Sequence, residues 1–341
     1  MSEERTALIA RFLDQAGWGG AEHAPLPGDA SFRRYVRLHG AKKRTAMLMD
    51  APPPQETVRP YLAVARLLRR LGFGAPAVYG QNAEHGLLLL EDLGDDTYTR
   101  LLAGGEAEEP LYSLAVDVLI ALKRQFTAPE TKAAKFLPPY DDQRLLDEVA
   151  LLVDWYWPSI VGGPVDSALR AEYLALWQGA LPATRKLPAT LVLRDFHVDN
   201  LMRVGNRNGL LACGLLDFQD AVLGPPSYDL VSLLEDARRD VTPELVAQMK
   251  QRYLAAFPEL DRAAFDAAYA ILGAQRSTKI VGIFTRLCVR DGKPQYLAHI
   301  PRVWRILQND LAHPALAPVA AWFARHIPEA GRKIPPCRPA A

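Results

Sequence analysis

The sequence predicts an α+β fold with two lobes, in which a small antiparallel β-sheet with one helix precedes a larger, mainly helical part. Short apolar runs alternate with turn residues from about residue 26 to residue 92, a pattern typical of antiparallel strands. After the polar connector EDLGDD, apolar residues recur at helical spacing through most of the chain. We therefore expect a small lobe at residues 1–92, a large lobe at residues 93–334 and a C-terminal tail at residues 335–341.

The small lobe is predicted to combine strands with a single helix. The strand segments are rich in apolar residues, and they read RRYVRLHG, RTAMLMD and GLLLLED. Between them, the segment VRPYLAVARLLRRLG has apolar residues at Tyr61, Val64 and Leu68, keeps its arginines on another face and stops at Gly72. This spacing predicts a helix that packs on the small sheet.

The large lobe is predicted to be helical except for one β-rich section. The segments LYSLAVDVLIALKRQF, DQRLLDEVALLVDWYW and SALRAEYLALWQGALP have helical periodicity, as do several segments after Pro243. Between these three segments and Pro243, apolar runs flank the polar turn GNRNG, which is expected to join two strands. The polar clusters at 195–200 and 217–220 border these strands and can therefore lie side by side. A cleft between two lobes is a common place for a ligand.

Composition and charge exclude several classes of function. The chain has 341 residues, 49% hydrophobic and 23% charged, with a net charge of +1, which is typical of a globular protein. Charges of both signs are interspersed, so no nucleic-acid partner is predicted. There is no signal-peptide pattern and no apolar run near the roughly 18 residues that span a bilayer. Cys213, Cys288 and Cys337 show no paired spacing, which suggests neither a disulfide framework nor a zinc site. We expect a cytoplasmic monomer with no membrane partner.

The two polar clusters contain the residue types that magnesium-dependent phosphoryl transfer requires. Mg²⁺ prefers oxygen ligands and usually takes one or two protein carboxylates together with phosphate oxygens and water. Asn200 and Asp217 suit that role. Asp195 lies five residues before Asn200, so its carboxylate can point at a substrate hydroxyl while the amide turns toward the metal. The sequence therefore predicts a nucleotide-and-metal site.

Single members of these clusters also have simpler interpretations. A lone acidic residue at the end of a strand is usually a turn or helix cap, and Asp199 fits that description. His197 is expected either to orient the loop by bonding its backbone or to contact the substrate.

Several segments together resemble a known family. LRDFHVDNLM and LLDFQDA resemble the catalytic loop and the metal-binding segment of the aminoglycoside phosphotransferase branch of the protein-kinase-like superfamily. More narrowly, other segments resemble the anomeric kinases that act on N-acetylmuramate and N-acetylglucosamine in bacterial peptidoglycan recycling: GDASFRRY, MLMDAPP, LLLEDLGD, DFQDAVLGPPSYDLVSLLEDAR and YLAHIPRVW. The match covers nearly the whole chain. It implies a protein-kinase-like bilobal fold, ATP and Mg²⁺ as cofactors, and a small-molecule amino sugar as the partner.

Carried over to this chain, the resemblance assigns roles to individual residues. It implies that Asp195 accepts the proton of the attacking sugar hydroxyl, or orients it, and that Asn200 and Asp217 bind Mg²⁺. GDASFRRY would be the loop that covers the phosphates, and the connector after the small lobe would meet the adenine edge through backbone groups. The implied nucleotide-binding residues are Gly28, Ser31, Phe32, Arg33, Glu91 and Leu93. Glu56 is a candidate for the glutamate of the small-lobe helix.

Two departures from the family pattern lie near this site. Leu193 stands where a histidine usually begins the catalytic loop, a difference that concerns support of the backbone rather than the chemistry. Protein kinases and aminoglycoside kinases carry a phosphate-binding lysine in the strand that reads RTAMLMD here, and Met47 and Met49 occupy the candidate positions. A methionine cannot neutralise phosphate, so either another cation substitutes or nucleotide affinity is low. The possible substitutes are Arg33, Arg34 and Lys43.

Candidate sugar-binding residues come from two further segments. In the helix QRSTKIVGIFTRLCVRDGK, Arg276 and Lys279 lie on one basic side, which is either a solvated face or a site for an anionic sugar group such as a lactyl carboxylate. Asp220 would bond sugar hydroxyls or order its loop, and Tyr228 would line the pocket or pack in the core. Asp229 is expected to stabilise the catalytic loop rather than touch the substrate.

Three functions are consistent with these residues. The first is an ATP-dependent kinase that phosphorylates the anomeric hydroxyl of N-acetylmuramate or N-acetylglucosamine to the sugar 1-phosphate. The second is an aminoglycoside or other small-alcohol kinase, although a pocket for polycations should be acidic and the side of Arg276 is basic. The third is a nucleotide-binding pseudokinase, which the missing lysine favours and the presence of Asp195, Asn200 and Asp217 disfavours. No P-loop, dinucleotide-binding, HExxH or GxSxG motif offers another option.

Overall fold

The chain divides by its internal contacts into two compact units. The computed structural model describes residues 3–27, 32–126, 132 and 134–336. The first unit, called the sheet unit below, consists of Met1–Val118 and Val198–Ala221; the second, called the helical unit, consists of Leu119–His197 and Val222–Ala341. The lobe boundary expected at residue 92 stays a prediction.

The N-terminal part of the chain contains both strands and helices. In order, the elements are α1 (Glu3–Gln15), β1 (Glu22–Pro25), β2 (Arg34–His39), β3 (Thr45–Asp50), α2 (Arg59–Arg70), β4 (Val78–Asn82), β5 (Leu87–Leu90), α3 (Tyr98–Ala103) and α4 (Glu108–Gln125). The three strands and the helix that were predicted for the small lobe are confirmed by β2, β3, β5 and α2, whereas β1 and β4 were not predicted.

The rest of the chain is mainly helical. Its elements are α5 (Asp142–Leu151), α6 (Trp157–Val161), α7 (Ser167–Ala180), β6 (Thr190–Val192), β7 (Leu201–Arg203), β8 (Cys213–Leu215), β9 (Val222–Gly224), α8 (Tyr228–Leu234), α9 (Pro243–Ala255), α10 (Arg262–Asp291), α11 (Ile300–Leu311) and α12 (Ala317–His326). The predicted α+β class is confirmed. Within the described ranges, no helix combines the length and apolarity needed to cross a membrane.

The sheet unit is built on a five-stranded antiparallel sheet with the order β1-β2-β3-β5-β4. Side chains alternate between the two faces of a strand, so each face has its own set of residues. One face packs on α1 in an apolar cluster that includes Ile9, Phe12, Leu13, Leu38, Leu48 and Leu89. The register pairs Tyr35 with Met49 and Arg37 with Met47, and these four residues belong to the opposite face. That face is therefore the one available for a ligand.

A short hairpin completes the sheet unit and contacts the connector that follows β5. Strand β7 pairs with β8 in antiparallel fashion, as the polar turn GNRNG predicted. The N–H of Arg203 donates to the carbonyl of Asp96 at 2.8 Å, and the N–H of Leu215 donates to the carbonyl of Gly74 at 3.1 Å. A Cβ atom at Gly74 would lie 2.3 Å from the carbonyl oxygen of Cys213, so this close approach requires glycine. The hairpin is thereby held in place against the sheet.

The 30-residue helix α10 forms the centre of the helical unit. It packs against α5, α8 and α11, and most of its side chains are buried. A Cβ atom at Gly282 would lie 2.4 Å from the carbonyl carbon of Leu151, so glycine allows the two backbones to approach. Cys213 is a free buried thiol, whereas Cys288 in α10 is disulfide-bonded. The sequence expectation of no disulfide is corrected at this point, because spacing along the chain does not report distance in the fold.

Candidate active site

The predicted catalytic and metal-binding residues belong to different units. The chain passes from the helical unit to the sheet unit between His197 and Val198. Asp195 therefore belongs to the helical unit, whereas Asn200 and Asp217 belong to the sheet unit.

The hairpin brings Asn200 and Asp217 to the same end of two paired strands. Leu201 pairs with Leu215, and the N–H of Leu216 donates to the carbonyl of Asn200 at 2.9 Å. Asn200 and Asp217 both line one cavity of the sheet unit. The prediction that the two polar clusters border a common hairpin is confirmed for these two residues.

Asp217 has a backbone conformation that is unusual for a residue with a side chain. Its φ of 54° lies in the left-handed region, which costs roughly 1–2 kcal/mol for an L-residue other than glycine. Its Oδ1 accepts a hydrogen bond from Nε2 of Gln219 at 2.9 Å. Strained backbone of this kind concentrates at functional sites, where the surrounding structure enforces it.

The cavity beside Asn200 and Asp217 has a volume of about 560 Å³ and two chemically different parts. One part of the lining is apolar and includes Tyr35, Met47, Leu90, Leu93, Met202 and Leu216. The other part is charged or polar and includes Arg33, Arg37, Asp92, Asn200 and Asp217. A lining that combines apolar side chains with charged and polar ones suits a ligand that joins a flat heterocycle to charged groups.

The connector after β5 borders the apolar part of this cavity. The N–H of Glu91 donates to the carbonyl of Ala77 at 2.8 Å, and the carboxylate of Glu91 accepts from the N–H of Ala77 at 3.0 Å. The guanidinium of Arg207 also bonds this carboxylate. The N–H and the side chain of Glu91 therefore hold the connector. That Glu91 and Leu93 meet a base edge through backbone groups stays a prediction.

The side chain of Arg37 in β2 bonds to three residues of the same connector. Its guanidinium lies 2.9 Å from Oδ2 of Asp92 and 2.7 Å from Oδ1 of Asp95, and it donates to the carbonyl of Gly94 at 2.9 Å. Asp92 in turn accepts from the N–H of Gly94 at 3.0 Å. Three contacts from one side chain hold residues 92–95 against the sheet. No specific pattern in the sequence indicated this role, because Arg37 alternates with apolar residues like an ordinary strand cation.

Only some of the nucleotide-binding residues predicted from the resemblance line this cavity. Arg33, Glu91 and Leu93 line the cavity. Phe32 is 68% exposed. Gly28 and Ser31 lie outside the described residues.

The backbone of the predicted catalytic loop, just before Asp195, is held by Asp229. The carboxylate accepts hydrogen bonds from the N–H of Leu193 at 2.6 Å and from the N–H of Arg194 at 2.9 Å. Burial raises the pKa of Asp229 to about 7, and these two hydrogen bonds oppose the shift. The prediction that Asp229 stabilises the catalytic loop is confirmed.

A buried ion network lies behind the same loop. The carboxylate of Glu148 bonds the guanidinium of Arg194 and lies 3.5 Å from Nζ of Lys279. It also accepts from Tyr140 Oη at 2.6 Å and from Gln275 Nε2 at 2.8 Å. Burial alone would raise the pKa of Glu148, but the two cations and these hydrogen bonds lower it below its ordinary value. Glu148 is therefore a charged anchor for the loop.

Lys279 and Tyr228, two of the predicted sugar-binding residues, belong to this network. Lys279 is 8% exposed and donates to Oη of Tyr228 at 2.9 Å, and Tyr228 is fully buried. Arg276 is 5% exposed and donates to the carbonyl of Glu235 at 3.2 Å. The alternative that Arg276 and Lys279 form a solvated face is wrong, and Tyr228 packs in the core. Their contact with a sugar stays a prediction, as does that of Asp220, which is exposed.

His197 is buried beside residues that the sequence analysis missed. Burial lowers the pKa of His197, while the nearby carboxylate of Asp236 opposes that change. Asp236 is 1% exposed, and its Oδ1 accepts from the N–H of Arg238 at 2.8 Å. It lines a cavity of about 630 Å³ in the helical unit. The sequence signal that could have found it was the charged run EDARRD, which directly follows the buried helix α8.

The donor set in the sheet unit fits Mg²⁺ only together with a ligand that supplies further oxygens. No group of three or more histidine, cysteine, aspartate or glutamate side chains that could hold a metal occurs in the described part of the chain. One carboxylate and one amide, Asp217 and Asn200, line the same cavity. This is the protein share that Mg²⁺ takes when phosphates and water complete its shell.

Comparisons with known proteins agree with this architecture. The phosphotransferase enzyme family that includes the aminoglycoside phosphotransferases matches residues 22–265, well over half of the chain. The chain belongs to this family. It is thus a phosphotransferase enzyme whose acceptor is a hydroxyl group, and its fold is protein-kinase-like.

Two similar proteins from different bacteria share one name. A protein of Caulobacter vibrioides called N-acetylmuramate/N-acetylglucosamine kinase is 40% identical, over 98% of this chain and 99% of its own length. A protein of Pseudomonas aeruginosa with the same name is 38% identical over 90% of each chain. Among solved structures, the GDP complex of aminoglycoside 2′-phosphotransferase-IIIa has a TM-score of 0.61 at 14% identity, over 91% of this chain and 99% of that one. At such low identity, this likeness is evidence for the fold alone.

Proposed function

We propose that this enzyme uses ATP to phosphorylate the anomeric hydroxyl of N-acetylmuramate or N-acetylglucosamine, which gives the sugar 1-phosphate. The observation that carries the proposal is the shared name of the relatives at 36–40% identity, together with an amide and a carboxylate at one end of a cavity suited to a nucleotide. We further propose that it acts in the cytoplasm in peptidoglycan recycling.

The nucleotide is proposed to bind in the cavity of the sheet unit. The base would lie in the apolar part near Met47, Leu90 and Met202, and its edge would meet the carbonyl of Glu91 and the backbone of Leu93. The phosphates would extend toward Asn200 and Asp217, which would hold Mg²⁺. Bound Mg²⁺ would neutralise phosphate charge during transfer.

Asp195 is proposed to orient the sugar hydroxyl and accept its proton. Phosphoryl transfer depends mostly on positioning and electrostatics, so a correctly held carboxylate is the main contribution expected from this loop. Asp229 supports the loop through its backbone, and Glu148 holds it through Arg194. Both supports act on residues that directly precede Asp195.

The cavity of the helical unit is the proposed acceptor pocket. Asp236 belongs to its lining and lies beside His197, two residues after Asp195. Five basic side chains and three acidic ones line this cavity; they are Arg239, Lys250, Arg262, Arg302 and Arg305 against Glu235, Asp236 and Asp240. A lining with an excess of cations disfavours a polycationic aminoglycoside. It accommodates a neutral sugar or one with a carboxylate.

Phosphorus NMR of the purified enzyme with ATP, Mg²⁺ and each sugar tests this function. We expect a new phosphorus signal coupled to the anomeric proton, and we expect it to be absent with an Asp195→Ala control. A phosphate signal coupled to another sugar proton would overturn the regiochemistry. No product from either sugar, with a protein that still binds ATP, would favour another acceptor or a pseudokinase.

A further inference from the structure

Arg33 lies on the ligand-facing side of the small sheet, beside the two methionines. Arg33 directly precedes β2 and lines the same cavity as Tyr35 and Arg37 of that strand. The register places Met49 opposite Tyr35 and Met47 opposite Arg37. The guanidinium of Arg33 therefore lies on the side of the sheet where Met47 and Met49 of β3 provide no positive charge.

The guanidinium of Arg33 lies between two carboxylates. Its Nη1 is 3.4 Å from Oδ1 of Asp217, and its Nε is 3.8 Å from Oε1 of Glu56. The side chain is 12% exposed. Burial disfavours its charge, but Asp217 is the strongest of several neighbours that raise the pKa of Arg33 above its ordinary value. Arg33 is therefore a permanent positive charge held at a proposed metal ligand.

The other candidate cations are placed elsewhere. Arg34 bonds Oδ2 of Asp50 at 2.6 Å and points to the opposite face of the sheet, which Asp50 shares with Leu48. Lys43 lies in the turn between β2 and β3 and is exposed. Of the three substitutes that the sequence left open, Arg33 is the one that lines the cavity.

A guanidinium and a divalent cation cannot both occupy one carboxylate without strong repulsion. A polyphosphate removes that conflict, because its oxygens supply negative charge to both cations, and the planar fork of arginine matches phosphate oxygens well. In the absence of nucleotide, the charge of Arg33 beside Asp217 would oppose metal binding there. Bound phosphates would draw Arg33 away and leave Asp217 to the metal.

We propose that Arg33 is the cation that binds the nucleotide phosphates, and that its exchange from Asp217 to phosphate makes nucleotide and divalent metal bind cooperatively. The inference rests on the proposed use of ATP and Mg²⁺ but not on the identity of the sugar. Glu56 is the second partner that keeps the guanidinium near the phosphates during the exchange.

Calorimetric titrations without any sugar test this proposal. The probes are ADP, with and without Mg²⁺, and Mn²⁺ with and without ADP. In the native enzyme we expect each ligand to strengthen the other by roughly tenfold or more. In Arg33→Gln we expect ADP affinity to fall by about 10- to 100-fold, through loss of a charge-assisted contact, while Mn²⁺ alone binds as tightly as before or more tightly.

Two further variants make the result specific. Arg33→Lys retains the charge and should recover part of the ADP affinity and of the coupling. Arg66→Gln changes an exposed arginine of the same unit, bonded to Gln81, and should leave all titrations unchanged. A merely structural role for Arg33 predicts that ADP and Mn²⁺ affinities fall together in both Arg33 variants, which would overturn the proposal.

The outcome is independent of the sugar assignment. ADP affinity in Arg33→Gln within about twofold of the native value would also overturn the proposal, since a lost charged contact should cost more than that. If the native enzyme binds ADP and Mn²⁺ cooperatively but forms no sugar 1-phosphate, the proposed function fails while this inference stands.

Discussion

The carboxylate of Asp229 accepts a hydrogen bond from the backbone N–H of Leu193 at 2.6 Å, at the residue where the family pattern has a histidine. Ser232 Oγ adds a bond to the carbonyl of Arg194 at 3.3 Å. Arg194 itself has a φ of 70°, so the loop turns through a strained residue just before Asp195. Helix α8 thus supports the backbone of the loop directly, without the histidine.

Replacing Asp229 by asparagine should lower turnover by about 10- to 100-fold, because a small displacement of the loop misplaces Asp195. An amide oxygen can serve one of the two N–H groups well, but its NH₂ group repels the other. Steady-state rates with ATP and sugar measure the effect, and ADP affinity should stay unchanged. Equal losses in ADP affinity would instead indicate general unfolding.

The raised pKa of Asp229 predicts a pH-dependent stability. The folded protein keeps this proton up to a pH of about 7, whereas the unfolded chain loses it near 3.8. Between these values the folded state binds more protons, so the free energy of unfolding should fall as pH rises, by at most about 1.4 kcal/mol per pH unit. Urea unfolding of the native enzyme and Asp229→Asn from pH 4 to pH 8 should show this slope in the native enzyme only. Parallel curves would contradict the assignment.

Replacing Asp195 by alanine should reduce turnover by about 10²- to 10⁴-fold, because it removes the group that is proposed to accept the proton. Binding of ADP should not change, since the cavity proposed for the nucleotide lies in the sheet unit. Asp154→Asn is a suitable control: Asp154 forms a half-exposed ion pair with Arg170 at 2.9 Å and should have little effect on activity. Turnover in Asp195→Ala close to the native value would remove Asp195 from the mechanism.

Replacing Arg37 by alanine should weaken ADP binding by about tenfold. The connector at residues 92–95 then loses its clamp and must be ordered when the nucleotide binds, at a cost of roughly 0.5–1.5 kcal/mol for each immobilised side chain. Fluorescence titration with a labelled ADP measures the affinity, with Arg66→Ala as the control. The KM for the sugar should be unaffected, and a change confined to that KM would refute the role of Arg37.

Replacing Asp236 by asparagine should raise the KM for the sugar by about tenfold, because a charged hydrogen-bond acceptor contributes more than a neutral one. The KM for ATP should stay at its native value. Initial-rate measurements with each substrate varied in turn separate the two effects, with Asp154→Asn again as the control. A rise in the KM for ATP alone would show that the cavity of the helical unit is not the acceptor pocket.

Sequence patterns predicted three strands of the five-stranded sheet, the helix α2 and the hairpin that positions Asn200 and Asp217, but not β1 or β4. The period of two in RRYVRLHG and RTAMLMD predicts strands β2 and β3, and the helical period of VRPYLAVARLLRRLG predicts α2. The turn GNRNG is short and polar, so it determines that Asn200 and Asp217 meet at the ends of one hairpin. These features are local, since each depends on residues that are close along the chain.

The tertiary structure decided the questions that depend on distant residues. Arg33, Arg34 and Lys43 look alike in the sequence, yet Arg33 alone of the three lines the cavity, because strand register and the partners Asp217 and Asp50 select the faces. Lys279 looked like part of a solvated stripe, but Glu148 lies 3.5 Å from it in the core. By itself, the sequence determined the strongly periodic elements and the chemical types present. Only the packing of the elements decided which charges are neighbours, because that depends on distances between segments far apart along the chain.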